Sequence, residues 1–162
     1  MSHSAVANRS DVPARGSARH DEDLYTWVQE QVALLRAGRF DEIDAENIAE
    51  ELSDVGKSEF RELKSALVLI LTHMLKWDHQ PGRRSRSWDN TISAQRARFH
   101  EALAENPGLK SRRGEALEAA YRVARSEASS ETDLPRKTFP QTCPYGWEDV
   151  LARPFDYEAL EG

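Results

Sequence analysis

The sequence of 162 residues predicts an all-α protein: a single helical bundle of four to five helices with a disordered N-terminal tail and a loop-rich C-terminal segment. Alanine and leucine far outnumber valine and isoleucine, whose β-branched side chains favour strands over helices. Apolar residues recur three and four positions apart along most of the chain, which is the spacing of the buried face of a helix. Alternation of apolar and polar residues, the mark of a strand, is nowhere sustained.

Composition divides the chain into three parts. Residues 1–20 contain much serine, alanine and arginine without an apolar period, so they are predicted to be a disordered tail. Residues 21–156 carry the helical pattern and are predicted to form one domain, which is long enough to bury a core. Residues 157–162 are assigned to the C-terminal end.

Helix-capping and helix-breaking residues delimit the first two helices. The first helix is predicted to begin after three acidic residues at 21–23 and to stop at Gly38. Asp44 is predicted to cap the second helix, whose apolar stripe continues across Gly56. Residues 44–79 are therefore predicted to form either one long helix or two helices with a kink at Gly56.

Each of these helices has one apolar face. On the first helix this face consists of Leu24, Trp27, Val28, Gln31 and Leu35. On the second it consists of Ile48, Leu52 and Val55, and then of Phe60, Leu63, Leu67, Ile70, Met74 and Trp77. Because Trp77 continues the stripe, its side chain is predicted to be buried in the core.

Three more helices are predicted beyond the long segment. A Pro-Gly pair at 81–82 ends that segment, and the next helix is predicted to begin near Ser85 or Ser87. Asn106 is predicted to cap the following helix, which has proline in its first turn and small alanines that permit close packing. The loop-rich C-terminal segment is predicted to hold one short helix at 145–151.

Charge and cysteine content narrow the classes of function. The net charge of −6 argues against nucleic acid as the default partner, because phosphate binding needs a basic surface. The single cysteine, Cys143, excludes an internal disulfide framework and a zinc cage of cysteines. No apolar run approaches the roughly 20 residues that span a bilayer, and the N-terminus lacks an apolar signal core. A cytoplasmic protein without membrane contact is therefore expected.

A series of motifs points to one family. In order, they are DEDLYTWVQEQVALLRAGRFDEIDAENIAEELSDVGKSEFREL, HMLKWDHQP, RSWDNTI, NPGLK, AAYRVAR, ET and FPQTCPY. Over about residues 21–156 they resemble the bacterial domain-of-unknown-function family 29. The family looks like an all-helical cytoplasmic domain with no established activity or cofactor. The resemblance thus implies a fold and assigns a catalytic role to no residue.

The stretch HMLKWDHQPGRRSRSW, residues 73–88, concentrates histidine, tryptophan and arginine at a predicted corner between two helices. Arginine beside an exposed tryptophan can bind phosphate and stack on a base, so nucleic-acid or anion binding is the first alternative function. Its candidate residues are Arg83, Arg84, Arg86, Arg96 and Arg98. The favoured interpretation is structural. The acidic residues of 41–59 balance this charge, and the arginines at the turn bond the free carbonyls that end the preceding helix.

A metal-dependent enzyme is the second alternative. Its candidate ligands, which could equally be polar core residues, are Glu51, His73, Asp78 and His79. Within one straight helix Glu51 and His73 lie roughly 33 Å apart, so only contacts from other helices could join them in one site. The sequence contains no HExxH motif or similarly dense ligand spacing. The favoured interpretation is that His73 forms a hydrogen bond inside the bundle.

These observations favour a small non-catalytic module over an enzyme. The expected partner is another protein or a second copy of the chain, and no cofactor or metal is expected. Nucleic acid is a partner only under the first alternative.

Overall fold

The computed structural model describes residues 20–155 and residue 157. The predicted disordered tail lies outside these residues apart from His20, as do residues 158–162 of the C-terminal end. The all-α prediction is confirmed, because the described part holds five α-helices and no strand. The helices are α1 (Leu24–Arg36), α2 (Ala45–His79), α3 (Arg86–Glu105), α4 (Arg113–Thr132) and α5 (Trp147–Ala152). Short 3₁₀ turns occupy Phe40–Glu42, Pro81–Arg83, Pro107–Arg112 and Arg136–Thr138.

The chain forms two compact units, the first ending at Val55 and the second beginning at Gly56. This boundary falls inside α2, which is one continuous α-helix through Gly56. The alternative of two separate helices is thereby excluded. The predicted domain limits at residues 21 and 156 stay predictions, because they coincide with the ends of the described part.

The first unit, from residue 20 to Val55, is a hairpin of α1 and the start of α2. Gly38 ends α1 with φ at 69°, a left-handed conformation that glycine adopts without strain. The Asp44 carboxylate accepts the N–H of Asn47 at 3.3 Å, which confirms its predicted role as a cap. Gln31 is buried in α1, and its side-chain oxygen accepts the backbone N–H of Asp44 at 2.8 Å. Backbone and side chain thus hold the two helices together near the turn.

The second unit has its core along the C-terminal half of α2. Fully buried side chains line this half of the helix: Leu63, Leu67, Ile70, Leu71, Met74 and Leu75. Only Leu69 departs from the expectation that residues 66–71 are buried on all sides, since it is partly exposed. α3 adds Ile92 and Phe99, and α4 adds its alanines, of which Ala120, Ala124 and Ala128 are fully buried. Such small side chains let the backbone of α4 approach the core closely.

The segment after α4 completes this core. Phe139, Val150 and Phe155 are each buried within it, and the predicted short helix is α5. The ring of Phe155 meets the ring of Trp77 edge-on with 5.4 Å between their centres. A region expected to be loop-rich therefore supplies several of the largest side chains of the core.

The start of α4 differs from the prediction. The chain first forms the 3₁₀ turn Pro107–Arg112, and the α-helix begins only at Arg113. Asn106 does not cap with its side chain, whose amide instead donates to Glu59 at 2.9 Å. The expected cap was therefore wrong: the Asn106 amide N–H bonds α2, and the proline at the first position suits a 3₁₀ turn as well as an α-helix.

Two glycines should respond in opposite ways to alanine. Gly56 lies inside α2 with no atom within 4 Å of an added Cβ, so Gly56→Ala should raise the free energy of unfolding by about 0.5–1 kcal/mol. Gly38 also has room, but its positive φ strains any other residue, so Gly38→Ala should cost about 1–2 kcal/mol. Urea denaturation of the full chain measures both. A loss of stability in Gly56→Ala would contradict a continuous α2.

Candidate functional site

The corner between α2 and α3 places Arg84 in a structural role. Its Nε–H donates to the backbone carbonyl of Trp77 at 2.9 Å, and its guanidinium lies 5.1 Å from the centre of the Trp77 ring. This bond satisfies a carbonyl near the end of α2, which confirms the predicted capping for Arg84. Trp77 itself is 5% exposed, so its predicted burial is confirmed as well.

Arg96 has a second structural role, which the sequence did not reveal. Its guanidinium donates to the backbone carbonyls of Asp149, Val150 and Arg153, at 2.9, 2.8 and 2.8 Å. These carbonyls belong to the C-terminal end of α5, where a helix leaves its acceptors unpaired and carries negative partial charge. Partial burial lowers the pKa of Arg96, but arginine stays protonated in proteins. Its partners lie more than 50 residues away, so no local pattern could identify them.

The remaining arginines of the candidate anion site are exposed, namely Arg83, Arg86 and Arg98. Arg84 and Arg96 are thus each bound by backbone carbonyls within the protein, unlike what the anion-site alternative needs of them. The acidic residues of 41–59 were expected to balance the charge of these arginines, but the acceptors that hold Arg84 and Arg96 are backbone carbonyls. A shallow depression of about 440 Å³ lies on α3 beside Arg86, between Ser87, Asn90, Thr91, Ala94 and Gln95. One cation among its lining residues gives little attraction for a polyanion.

The roles of two neighbouring arginines can be separated by substitution. Arg84→Gln should lower the free energy of unfolding by about 1–2 kcal/mol, because a charged donor to the Trp77 carbonyl is lost. Arg83→Gln removes an exposed charge at the same turn and should change it by less than about 0.5 kcal/mol. Chemical denaturation of both variants checks this, and equal losses would show that charge alone matters at the corner.

Each of the four candidate metal ligands has a partner within its own unit. Glu51 is bound by His20, whose Nε2 lies 2.8 Å from the carboxylate. Glu51, which the metal-site alternative would pair with His73, thus has His20 as a hydrogen-bond partner. His73 donates its Nδ1–H to the carbonyl of Leu69 at 2.8 Å, and burial lowers its pKa. His79 packs edge-on against a phenylalanine ring. Among the described residues, no group of three or more histidine, cysteine or acidic side chains could hold a metal ion.

Asp78, the fourth candidate, anchors the segment after α4. It accepts the hydroxyl of Tyr145 at 2.8 Å and two bonds from Arg153, at 3.0 and 2.6 Å. Burial raises the pKa of Asp78, but these three hydrogen bonds outweigh burial, and the pKa lies below its usual value. The Cys143 thiol, two residues before Tyr145, is half-buried, and burial raises its pKa. A raised pKa keeps the Cys143 thiol protonated, and the hydrogen bonds of Asp78 tie the end of α2 to the segment after α4.

His20 and Glu51 should make the stability of the first unit depend on pH. The hydrogen bond that His20 donates to the Glu51 carboxylate raises the pKa of His20 above 6.5, since it outweighs partial desolvation, and Asp21 adds to the increase. The contribution of this pair to the stability of the unit is therefore fully present below about pH 6.5. It is lost as the pH rises through the pKa that His20 has in the folded state. The difference in thermal midpoint between the parent and His20→Gln should shrink from about pH 5.5 to about pH 8.5. If the difference between the parent and His20→Gln did not change with pH, this pairing would be contradicted. The pairing would also be contradicted if His20→Gln had the same pH-dependent effect in a Glu51→Gln background.

The first unit exposes apolar side chains on a scale that the second does not. Leu52 is 67% exposed and Val55 is 59% exposed, although both continue the stripe that is buried further along α2. We call the exposed large apolar residues of this unit the N-terminal apolar face: Leu24, Tyr25, Leu35, Phe40, Leu52 and Val55. The described part of the second unit has two such residues, Leu69 and Val123. The apolar stripe along α2 is thus exposed in the first unit and buried in the second.

The interior of the first unit is small and polar. Trp27 and Gln31, four residues apart on α1, are its buried side chains. Among the described residues, the Trp27 indole N–H and the Gln31 amide nitrogen find no hydrogen-bond partner. The indole contributes to the lowered pKa of Asp44, after the larger effect of Asn47, but it does not reach hydrogen-bond geometry. Such an interior stabilises a hairpin less than a fully apolar one would.

Comparison with known proteins identifies a family. The family model described as "Domain of unknown function DUF29" matches residues 20–156, which confirms the resemblance seen in the motifs. No curated protein and no solved structure matches the chain. None of the described helices is long and apolar enough to cross a membrane.

Proposed function

The chain belongs to the DUF29 family, and we propose that it acts as a non-catalytic, cytoplasmic protein-binding module through its N-terminal apolar face. The family description states no activity, so the proposal rests on the residues themselves. The observation that carries it is the clustering of exposed large apolar side chains in residues 24–55. Contiguous apolar surface on a folded protein is characteristic of sites that bind other proteins.

The face has the form of a helical binding surface. Ile48, Leu52 and Val55 follow one another at spacings of four and three, so they line one side of α2. Leu24 and Leu35 occupy one side of α1 in the same way. Apolar residues along one side of neighbouring helices are a common way to accept the apolar side of a partner helix.

The charges of the same helix lie on another side. Glu46, Glu50 and Asp54 follow at spacings of four, and their row is offset from that of Leu52 by two positions, or about 200° around the helix. All three are exposed. A partner at the apolar face would therefore be recognised by apolar contact, with the acidic row directed away from it.

Photo-crosslinking in the native cell tests this proposal. A photoreactive residue at Leu52 should capture a protein partner, whereas the same residue at Val123, an exposed apolar position of the second unit, should capture little. Mass spectrometry of the crosslinked bands identifies the partner. Equal labelling from both positions, or none from Leu52, would overturn the proposed function.

A further inference from the structure

We infer that the N-terminal apolar face binds a second copy of the same chain, and that two hairpins pack into a four-helix bundle. This inference rests on the proposed function, because it names the partner of the same surface. It is carried by the burial, the symmetry and the exposed apolar area of the first unit.

The first unit contains one layer of helices where a stable bundle needs two. Its buried side chains are Trp27 and Gln31, while Leu52 and Val55 of the adjoining helix are mostly exposed. Helices bury their apolar sides by packing against another layer of secondary structure. A second hairpin supplies two helices of matching length, and four helices around one core form a stable and common architecture.

Symmetry allows the same face to serve both partners. α1 and the start of α2 run antiparallel, since His20 bonds Glu51 at one end and Gln31 bonds Asp44 at the other. A twofold axis through such a face places each residue against the equivalent surface of the other copy, and dimers of this kind are the commonest oligomers. Aliphatic side chains dominate the face, and they pack against one another without needing specific polar partners.

The exposed area fits a reversible dimer. From their exposed fractions, the six residues of the face offer roughly 500 Å² of apolar surface per copy, or about 1,000 Å² in a dimer. This value lies at the lower end of the range for specific interfaces. We therefore expect a dissociation constant in the micromolar range rather than a permanent dimer.

Charge opposes this dimer weakly. Each copy carries a net charge of −6, so two copies repel each other at long range. The acidic row of α2 lies on the far side from Leu52, so few acids approach one another at the contact itself. Added salt should therefore strengthen the dimer, whereas it would weaken an association that depended on ion pairs across the interface.

Sedimentation velocity of the purified full chain, between about 1 and 200 µM, tests the inference. The parent should change from monomer to dimer over this range. Leu52→Glu combined with Val55→Glu should stay monomeric, and the matched control Val123→Glu should dimerise like the parent. Far-ultraviolet circular dichroism should show unchanged helix content, because all three positions are exposed.

The outcomes separate this inference from the proposed function. A parent that stays monomeric throughout, or a double variant that still dimerises, would overturn the inference. If the parent is monomeric while position 52 crosslinks to a different protein in the cell, the face binds a partner that is not a second copy. If position 52 crosslinks to nothing and the parent is monomeric, both proposals fail.

Discussion

Truncation of Trp77 to alanine should lower the free energy of unfolding by about 3–5 kcal/mol. The indole is 5% exposed, packs edge-on against Phe155 and lies beneath the guanidinium of Arg84. Its removal leaves a cavity between α2 and the segment after α4, and both neighbouring side chains lose their packing partner. Urea denaturation followed by circular dichroism measures the loss.

Trp88 is the matched control for this truncation. It is half-buried at the start of α3, with the ammonium of Lys76 located 4.7 Å from the centre of its ring. Trp88→Ala should therefore cost less than Trp77→Ala, because part of its surface already faces water. Equal losses for the two tryptophans would show that Trp77 is not the core residue described above. An unchanged midpoint for Trp77→Ala would place that indole on the surface and restore the stacking role considered for it.

Replacement of Arg96 by alanine should cost about 2–4 kcal/mol, because three backbone carbonyls lose a charged donor at once. Two of these carbonyls belong to α5 and the third follows it, so the loss should destabilise the docking of that helix. Arg96→Lys keeps the charge but cannot present three donors in one plane, and should recover less than half of the loss. Thermal and urea unfolding of both variants provide the measurement.

Arg98 is the control for charge, since it lies two positions further along α3 and is exposed. Arg98→Ala should change stability by less than about 0.5 kcal/mol. If Arg96→Lys were as stable as the parent, charge rather than the fork of donors would hold α5. Hydrogen exchange should then show no additional opening of residues 147–152.

Much of the fold follows from local sequence. Gly38 and Asp44 mark a helix end and a helix start because each acts on its own backbone or on that of the next few residues. The stripe from Leu63 to Trp77 likewise predicts a buried face, since helical periodicity places these residues on one side. Even the continuity of α2 is consistent with this stripe, which keeps its phase through Gly56.

The periodicity of apolar residues does not show whether the apolar side of a helix is covered by other elements. Leu52 and Leu67 continue the same stripe, yet Leu52 is mostly exposed and Leu67 is fully buried. Periodicity states which residues share a side of the helix, and the elements that cover this side come from distant parts of the chain. The same limit applies to Arg96, which looked like part of a basic patch because its three acceptors lie far along the sequence.

The candidate metal ligands show a third limit. Residue types indicate which chemistry is available, but each side chain takes the partner that the fold provides. Glu51 pairs with His20, and Asp78 pairs with Arg153 and Tyr145. Neither pair is spaced in the sequence in a way that would predict it.

The position of the covering residues late in the chain has a consequence for protein synthesis. Phe155 covers Trp77, and Trp147 stacks on Phe99 with 5.8 Å between ring centres. At about 5–20 residues per second, a ribosome adds the 78 residues from Trp77 to Phe155 in roughly 4–16 seconds. During that interval the nascent helices expose two large aromatic side chains, which makes them substrates for chaperones and prone to aggregation. Messages that stop near residue 135 should therefore yield insoluble product, although all the long helices have been translated.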